Sequence, residues 1–372
     1  MSKSKVQTWL QHLTWQAEFT KSHANRQRHD QLSDWDWFER AIAFRPYSPR
    51  AIAHRLLERT GLRRRPEPSL EWLRENADKL WYTRCMFEDD LSRLLFDSSL
   101  VLRITNHRQC YFPRIDFEDL IEVNSATSFN SRDLPHDYLG IPLIVADLTL
   151  HLPSTASTTL RAILAKGTVE ALNNYQQYLI TRNGTSWAPR PGEVVLDCGA
   201  CIGDISILFA AMVGGEGQVH AFDPLPLHNR YCEQQASLNP SLSRALHFNT
   251  LAVDARSSKA NHRQTDGQQI TPGLRADSES FDCISLDDYA AAQNLRNVDF
   301  IKMDIEGAEM AALAGATDIL KRYAPRLAIS GYHKPADLWE IPDRIKALNP
   351  DYKLYFAHHS AVQWESVFYA VT

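Results

Sequence analysis

The pattern of hydrophobic and polar positions changes near residue 190. Before that point, hydrophobic side chains recur mostly at the three- to four-residue spacing of amphipathic helices, and capping residues or glycine mark several ends. Helices are predicted over Val6–Phe19, Asp34–Glu39, Ser48–Gly61, Ser69–Trp81 and Phe87–Phe96.

A short stretch of mixed pattern follows these helices. Leu100–Thr105 and Gln109–Pro113 are rich in β-formers and predict a hairpin, and Leu139–Leu148 predicts a further strand. Thr159–Ile180 returns to helical spacing, and the turn-rich run Arg182–Pro191 predicts a boundary. We therefore expect a mostly helical α+β domain over residues 1–185 and a second domain over residues 186–372.

From Glu193 onward, strands alternate regularly with helices. Such alternation predicts an α/β fold in which helices cover both faces of a parallel sheet. Two final strands without an intervening helix predict an antiparallel hairpin at one edge. The predicted strands are Val194–Leu196, Gln218–Phe222, Leu246–Val253, Val298–Met303, Leu327–Ser330, Leu354–His358 and Ser366–Val371, and the predicted helices are Ile202–Val213, Leu225–Leu238, Ala308–Tyr323 and Ile341–Leu348.

Composition narrows the class of protein. The 372 residues are 44% hydrophobic and 23% charged, which excludes general disorder and leaves room for two domains. No apolar run reaches the ~20 residues of a membrane span, and the first residues lack the pattern of a secretory signal. Six scattered cysteines then indicate reduced thiols and a cytoplasmic location.

Charge and tryptophan are distributed unevenly. Residues 1–190 carry 25 Lys and Arg against 22 Asp and Glu, whereas residues 191–372 carry 15 against 23, which together give the net charge of −5. Six of the nine tryptophans lie in the first 81 residues. Neither half has the clustered cationic face of a nucleic-acid-binding protein, so we expect no nucleic-acid partner.

Two neighbouring strands end in motifs that indicate a nucleoside-like cofactor. Asp197 ends the first strand of the α/β region, and Gly199 and Gly203 follow with the spacing D-x-G-x-x-x-G, which is neither the dinucleotide motif nor a phosphate-binding loop. Asp223 ends the next strand, where an acid accepts hydrogen bonds from ribose hydroxyls. The alternative is a structural turn beside a surface acid.

A third motif, VDFIKMDIEGAE at residues 298–309, brings three acids to the same sheet edge. Asp304, Glu306 and Glu309 are unfavourable there if buried without partners, so they are expected to attract a cation, hold a metal or take a proton. The alternative is that Glu306 and Glu309 only complement the N-terminus of the following helix.

Together these motifs resemble the FkbM family of S-adenosylmethionine-dependent methyltransferases. The resemblance rests on VVLDCGACIGDIS, HAFDPLP, CISLDDY and VDFIKMDIEGAE, and it covers residues 194–371. It implies a Rossmann-like, seven-stranded class I methyltransferase domain that binds S-adenosylmethionine and releases S-adenosylhomocysteine. The implied cofactor-binding residues are Asp197, Gly199, Ala200, Gly203, Asp223, Pro224, Ala252, Val253 and Asp304.

Methyl transfer to a hydroxyl requires alignment of the reactants and removal of a proton. The candidate catalytic residues are His333, Asp304 and Glu306. Many relatives carry an acid near the end of strand five, where this sequence has Gly331-Tyr332-His333, and the difference favours His333 as the base.

No metal is expected, although a divalent metal held by His358-His359 with Asp304 or His333 was weighed as the less favoured alternative. Cys198 and Cys201 lie inside the glycine loop and lack partner ligands, so small size explains them better than zinc or redox chemistry.

We therefore predict an O-methyltransferase that acts on a hydroxyl of a sugar, glycolipid or secondary metabolite in a biosynthetic reaction. Methylation of a small-molecule amine and a non-catalytic cofactor-binding scaffold remain alternatives, and a nucleotide-dependent oxidoreductase is disfavoured by the loop spacing. The first region is expected to select the acceptor or to pair subunits in a homodimer. Its interleaved aromatic and basic residues suit a sugar or a flat metabolite: Trp35, Trp37, Arg40, Arg45, Arg63, Arg64 and Arg65.

Overall fold

The structure, a computed structural model, describes most of the chain. The described residues are 3–23, 69–105, 121–129, 134, 135, 137, 138, 141–151, 158–165, 177–261, 281–360 and 364–372. The helices predicted at 34–39 and 48–61, the strand predicted at 109–113 and the basic–aromatic residues between 35 and 65 lie outside this set.

The described part of the first region opens with helices α1 (Lys3–His23), α2 (Leu70–Glu75), α3 (Ala77–Met86) and α4 (Asp90–Thr105). They confirm the helices predicted near residues 6, 69 and 87. The hairpin prediction was wrong at Leu100–Thr105, which forms the last turns of α4. Every residue of that run is buried, so it lacks the polar face that makes a helix recognisable from its period.

A small antiparallel sheet follows α4. It comprises β1 (Ile121–Ser128), β2 (Asp137–Tyr138), β3 (Ile141–Leu150) and β4 (Thr158–Ala165), with β1, β2 and β4 all paired to β3. The strand prediction near residue 140 is confirmed. The helix prediction over Thr159–Ile180 was wrong at β4, which pairs with β3 along its whole length, because this pairing outweighs the local helical spacing.

The predicted boundary contains a tight hairpin. Strands β5 (Thr181–Arg182) and β6 (Thr185–Ser186) are joined by Asn183 and Gly184, which have φ angles of 50° and 77°. Two consecutive positive φ angles match the twist of a two-residue hairpin, and Asn-Gly is the preferred pair for it.

The second region forms a seven-stranded sheet with helices between its strands. Its strand order is β15-β16-β14-β13-β7-β8-β9, parallel except for β16, which runs antiparallel to both of its neighbours. This confirms the predicted Rossmann-like α/β fold and the edge hairpin. The remaining strands and helices are β7 (Val194–Cys198), α5 (Asp204–Val213), β8 (Gln218–Phe222), α6 (Pro226–Leu238), β9 (Leu246–Asn249), β10 (Ala252–Val253), β11 (Ser258–Asn261), β12 (Phe281–Ile284), α7 (Leu286–Ala292), β13 (Phe300–Met303), α8 (Glu309–Ala314), α9 (Thr317–Arg322), β14 (Arg326–Ser330), α10 (Asp337–Leu348), β15 (Lys353–His358) and β16 (Ser366–Val371).

Two predicted elements are divided in the structure. The third predicted strand becomes β9 and β10, and β10 leaves the large sheet to pair with β12. The helix predicted over Ala308–Tyr323 becomes α8 and α9, with the break near Gly315. A Cβ at Gly315 would lie 2.2 Å from the backbone oxygen of Asp254, so the absence of a side chain permits this close approach.

The two regions share a hydrophobic core. Phe87 and Phe96 from the first region pack against Phe356 and Phe368 of the edge hairpin, with ring centroids 5.3–6.3 Å apart. The division near residue 185 stays a prediction, since buried aromatic contacts cross it. Among the described residues, none of the helices combines the length and the apolar character that crossing a bilayer requires.

Two amide side chains on α6 fasten the small sheet to the second region. Gln235 accepts from the Ile163 backbone N–H at 2.9 Å and donates to the Ile163 carbonyl at 2.8 Å. Asn239 makes the same pair of contacts with Arg161, at 2.9 and 2.6 Å. The outer edge of β4 thus pairs with side chains as it would pair with another strand.

Replacing Gln235 with alanine tests this attachment. Two buried backbone groups of Ile163 would lose their partner, so Gln235→Ala should lower the free energy of unfolding by about 2 kcal/mol. Urea denaturation measures the change, with Ser237→Ala on the exposed face of α6 as the control, expected within about 0.5 kcal/mol of wild type. Equal stability of the two variants would contradict the attachment.

Candidate active site

A buried ion pair holds together the strand ends that form the site. Lys302 on β13 lies 3.0 Å from Asp197 on the neighbouring strand β7, and both side chains are almost completely buried. Lys302 Nζ also donates to the carbonyl oxygen of Gly199 at 2.6 Å. Burial alone would lower the pKa of Lys302, but Asp197 and Asp304 raise it overall, so the lysine is charged. Asp197 therefore orients the glycine loop from inside the protein.

The two glycines of the loop are required by neighbouring protein atoms. Gly199 has a φ of 87°, and a Cβ there would lie 1.8 Å from the backbone oxygen of Asp304. Gly203 has a φ of 79°, and its Cβ would lie 2.9 Å from Cys232 Sγ on α6. The glycine spacing thus lets the loop approach both the end of β13 and helix α6.

Asp223, at the end of β8, has its carboxylate directed toward the same loop. One oxygen accepts from the Cys201 N–H at 3.0 Å, while the other accepts from the Leu225 N–H and lies 2.9 Å from His228 Nδ1. These contacts fix the carboxylate beside the glycine loop. The side chain retains a small exposed fraction of 9%. The contacts do not include the other residues predicted to bind the cofactor.

Those other residues lie on nearby elements. Ala200 follows Gly199 and donates its N–H to the Phe222 carbonyl at the end of β8. Pro224 directly follows Asp223 in the turn before α6. Ala252 and Val253 form β10, are buried and pair with β12 outside the large sheet. The cofactor roles of all these residues stay predictions.

Two tyrosine hydroxyls hold Asp304 in place. Tyr332 donates to Asp304 Oδ1 at 2.9 Å and approaches Oδ2 at 3.2 Å, while Tyr178 donates to Oδ2 at 3.0 Å. The Asp304 side chain remains 24% exposed. Its carboxylate is therefore oriented from within the protein and open on another side.

His333 lies among three carboxylates. Its Nδ1 is 2.9 Å from Glu309 Oε1, and its Nε2 is 3.3 Å from Asp304 Oδ1 and 3.7 Å from Glu306 Oε2. The structure thus brings together the three residues predicted to be catalytic and adds Glu309. The expected helix-terminal role of Glu309 is also present, since Glu309 Oε1 accepts from the Ile305 N–H at 2.9 Å.

This crowding shifts two pKa values. Burial disfavours a charged imidazole, but Glu309, Asp304 and Glu306 outweigh it and raise the pKa of His333 to about 10. Burial raises the pKa of Glu306 to about 7, although the neighbouring His333 opposes the shift. At neutral pH the imidazole is therefore cationic, and Glu306 lies near its titration point.

Glu306 is the most accessible acid of this group. Its side chain is 44% exposed, against 24% for Asp304 and 1% for Glu309. Its backbone has a φ of 55°, followed by 92° at Gly307, so two left-handed residues turn the chain sharply after β13. Such a conformation is uncommon for glutamate, and it places the carboxylate at the rim of the cluster.

The alternative metal ligands are engaged elsewhere. His358 Nδ1 lies 2.8 Å from Ser366 Oγ, and His359 Nε2 lies 2.7 Å from the Tyr369 hydroxyl. Within the part of the chain that the structure describes, the group of ligand-type side chains close enough to share a metal ion comprises Asp304, Glu309 and His333.

Sequence reasoning did not anticipate Lys302, Tyr178 or Tyr332. Lys302 is a charged residue within an otherwise apolar strand, which is an available signal for a buried ion pair. Tyr178 lies more than 120 residues before its partner Asp304, in a segment assigned to the first domain, and no local pattern connects them.

The sequence matches a family model over the region that contains this site. Residues 197–357 match the methyltransferase FkbM domain. These residues therefore form an FkbM methyltransferase domain, as the sequence motifs predicted. A comparison with curated proteins found no match.

Solved structures support the fold. A methyltransferase FkbM from Methylobacillus flagellatus KT is 18% identical with a TM-score of 0.52, and the match covers 82% of this chain and 60% of that one. The present chain thus spans less than two thirds of that structure's length. Fibrillarin from Aeropyrum pernix, in complex with S-adenosyl-L-methionine, is 12% identical with a TM-score of 0.33, covering 67% of this chain and 99% of that one.

Substitution of the loop glycine separates packing from backbone strain. Gly199→Ala adds a clash with Asp304 to the cost of a positive φ, whereas Gly184→Ala has a similar φ and no atom within 4 Å. We expect Gly184→Ala to cost about 1 kcal/mol of unfolding free energy and Gly199→Ala at least about 2 kcal/mol more. Thermal or urea unfolding measures both, and equal losses would show that the close approach to Asp304 is unimportant.

Proposed function

We propose that the protein is an S-adenosylmethionine-dependent O-methyltransferase. The observation that carries this proposal is the juxtaposition of the glycine loop with Asp304, whose backbone oxygen would clash with a side chain at Gly199. In open α/β sheets, ligands bind beyond the carboxyl ends of the strands. Both the loop and the acidic cluster lie at that edge, within an FkbM methyltransferase domain.

The residues present fit the cofactor chemically. Its sulfonium is cationic, and the partly exposed Asp304 carboxylate at the loop supplies complementary charge. Asp223 has a carboxylate suited to ribose hydroxyls, held in place by the Cys201 N–H of the same loop. When bound, the cofactor would supply an electrophilic methyl group. The loop residues Gly199 and Gly203 would bind and orient it.

Glu306 is the residue that we assign to the acceptor proton. A hydroxyl acceptor must lose its proton during methyl transfer, and the base must be within its reach. Glu306 is the most exposed carboxylate at the rim, whereas both ring nitrogens of His333 face carboxylates inside the cluster. Asp304 and His333 then hold the site in position, and their catalytic roles are indirect.

The first region contributes side chains to this site, which supports a role in acceptor selection. Tyr178 donates to Asp304, and Arg103 on α4 donates to the Gly331 carbonyl at 3.4 Å, two residues before His333. Elements of the first region therefore contact both strand ends that bear the acids. We propose that this region shapes the acceptor site for a sugar, a glycolipid or another hydroxylated metabolite.

Cofactor titration and a carboxamide variant test the proposal. Calorimetry should show saturable binding of S-adenosylhomocysteine and none of NAD. Glu306→Gln should bind S-adenosylhomocysteine within about threefold of wild type, yet lower kcat by about 100-fold or more, because it removes the base while keeping the side-chain shape. Release of S-adenosylhomocysteine is followed over a panel of sugars, glycolipids and phenols.

Glu216→Gln is the matched control. Glu216 is exposed in the turn that precedes β8, at the opposite end of the sheet, and its substitution should leave both binding and kcat unchanged. Binding of NAD alone would refute the cofactor assignment. An undiminished kcat in Glu306→Gln would refute the role of Glu306.

A further inference from the structure

The Asp304, Glu309 and His333 side chains form a cluster with the composition of a metal site. One donor atom from each residue lies within 4.8 Å of the other two. His333 and Glu309 are largely buried, and Asp304 is partly exposed, so the cluster has an inner wall and an open side. Metal sites of catalytic proteins share this form, with protein ligands on one side and an accessible position on the other.

The donors are held by partners that leave ligand atoms available. Asp304 is oriented by the hydroxyls of Tyr332 and Tyr178, and Glu309 Oε1 by the Ile305 N–H. Glu309 Oε2 is buried and has no hydrogen-bond partner among the described residues. An unpaired buried carboxylate oxygen is unfavourable in a folded protein, and a cation would satisfy it.

The positive groups around the cluster are too few to balance it. Three carboxylates surround the single imidazole of His333. Of the two nearby lysines, Lys334 donates its Nζ to the Gly307 carbonyl at 2.5 Å, and Lys302 is paired with Asp197. Asp337, whose carboxylate accepts from the Lys334 N–H, adds another acid on the α10 side.

We propose that Asp304, Glu309 and His333 bind a divalent first-row transition metal ion such as Mn²⁺ or Zn²⁺. Imidazole combined with carboxylates suits these ions, whereas Mg²⁺ and Ca²⁺ favour oxygen ligands alone. The tyrosines on Asp304 and the backbone N–H on Glu309 act as the outer partners that orient metal ligands. The site does not depend on the proposed methyl transfer, because no cofactor atom enters it.

Direct titration of the full chain tests this proposal. After treatment with EDTA and its removal, Mn²⁺ is added and its free ion signal is followed by electron paramagnetic resonance. We expect one Mn²⁺ per chain, displacement by Zn²⁺ and much weaker competition by Mg²⁺. Glu309→Gln and His333→Gln should each weaken Mn²⁺ binding by about tenfold or more.

Glu340→Gln is the control for the charge change, because Glu340 is exposed on α10 and should not alter the Mn²⁺ affinity. Thermal unfolding establishes which variants are folded. If the two ligand variants do not fold, Glu309→Asp decides, since it keeps the charge but shortens the reach, and weaker binding is expected. Absence of saturable Mn²⁺ or Zn²⁺ binding in wild type, or unchanged affinity in the folded variants, would overturn the proposal.

Calorimetric binding of S-adenosylhomocysteine separates this result from the proposed function. A protein that binds S-adenosylhomocysteine and transfers methyl groups, but takes up no metal, would refute the metal site alone. A protein that binds Mn²⁺ at these residues but neither S-adenosylmethionine nor S-adenosylhomocysteine would refute the proposed function alone.

Discussion

The buried Lys302–Asp197 ion pair is the interaction on which the rest of the site depends. It joins the ends of two adjacent strands, and the same lysine fixes the carbonyl of Gly199. Breaking one partner of a buried pair leaves an uncompensated charge that costs about 3–5 kcal/mol, so the pair and the loop geometry are inseparable. The close approach of Gly199 to Asp304 completes this connection between the loop and the acidic cluster.

This arrangement gives the loop and the cluster different duties. Asp197 and the glycines serve protein geometry directly and a ligand only indirectly, because their side-chain positions are filled by protein contacts. The chemically available groups lie one strand away, where Asp304 and Glu306 keep exposed carboxylate surface. The first region supports the same cluster through Tyr178, so the site is built from both halves of the chain.

The sequence predicts the second region far better than the first. Regular alternation fixed the α/β fold, and the acids at the end of β13 fall together because parallel strands end at one edge. The failures have physical causes. Leu100–Thr105 is buried on all sides and shows no helical period, and Thr158–Ala165 becomes a strand through pairing with a distant partner. The contact of Tyr178 with Asp304 is equally long-range.

The central claim is that the sheet edge formed by the glycine loop and Asp304 binds the methyl donor beside the acidic cluster. A crystal structure with S-adenosylhomocysteine, with its sulfur located by anomalous scattering, tests this most directly. The account predicts the sulfur between the Gly199–Gly203 loop and Asp304, with the ribose toward Asp223. A well-ordered ligand bound away from this edge, with the loop and Asp304 free of contacts to it, would contradict the account.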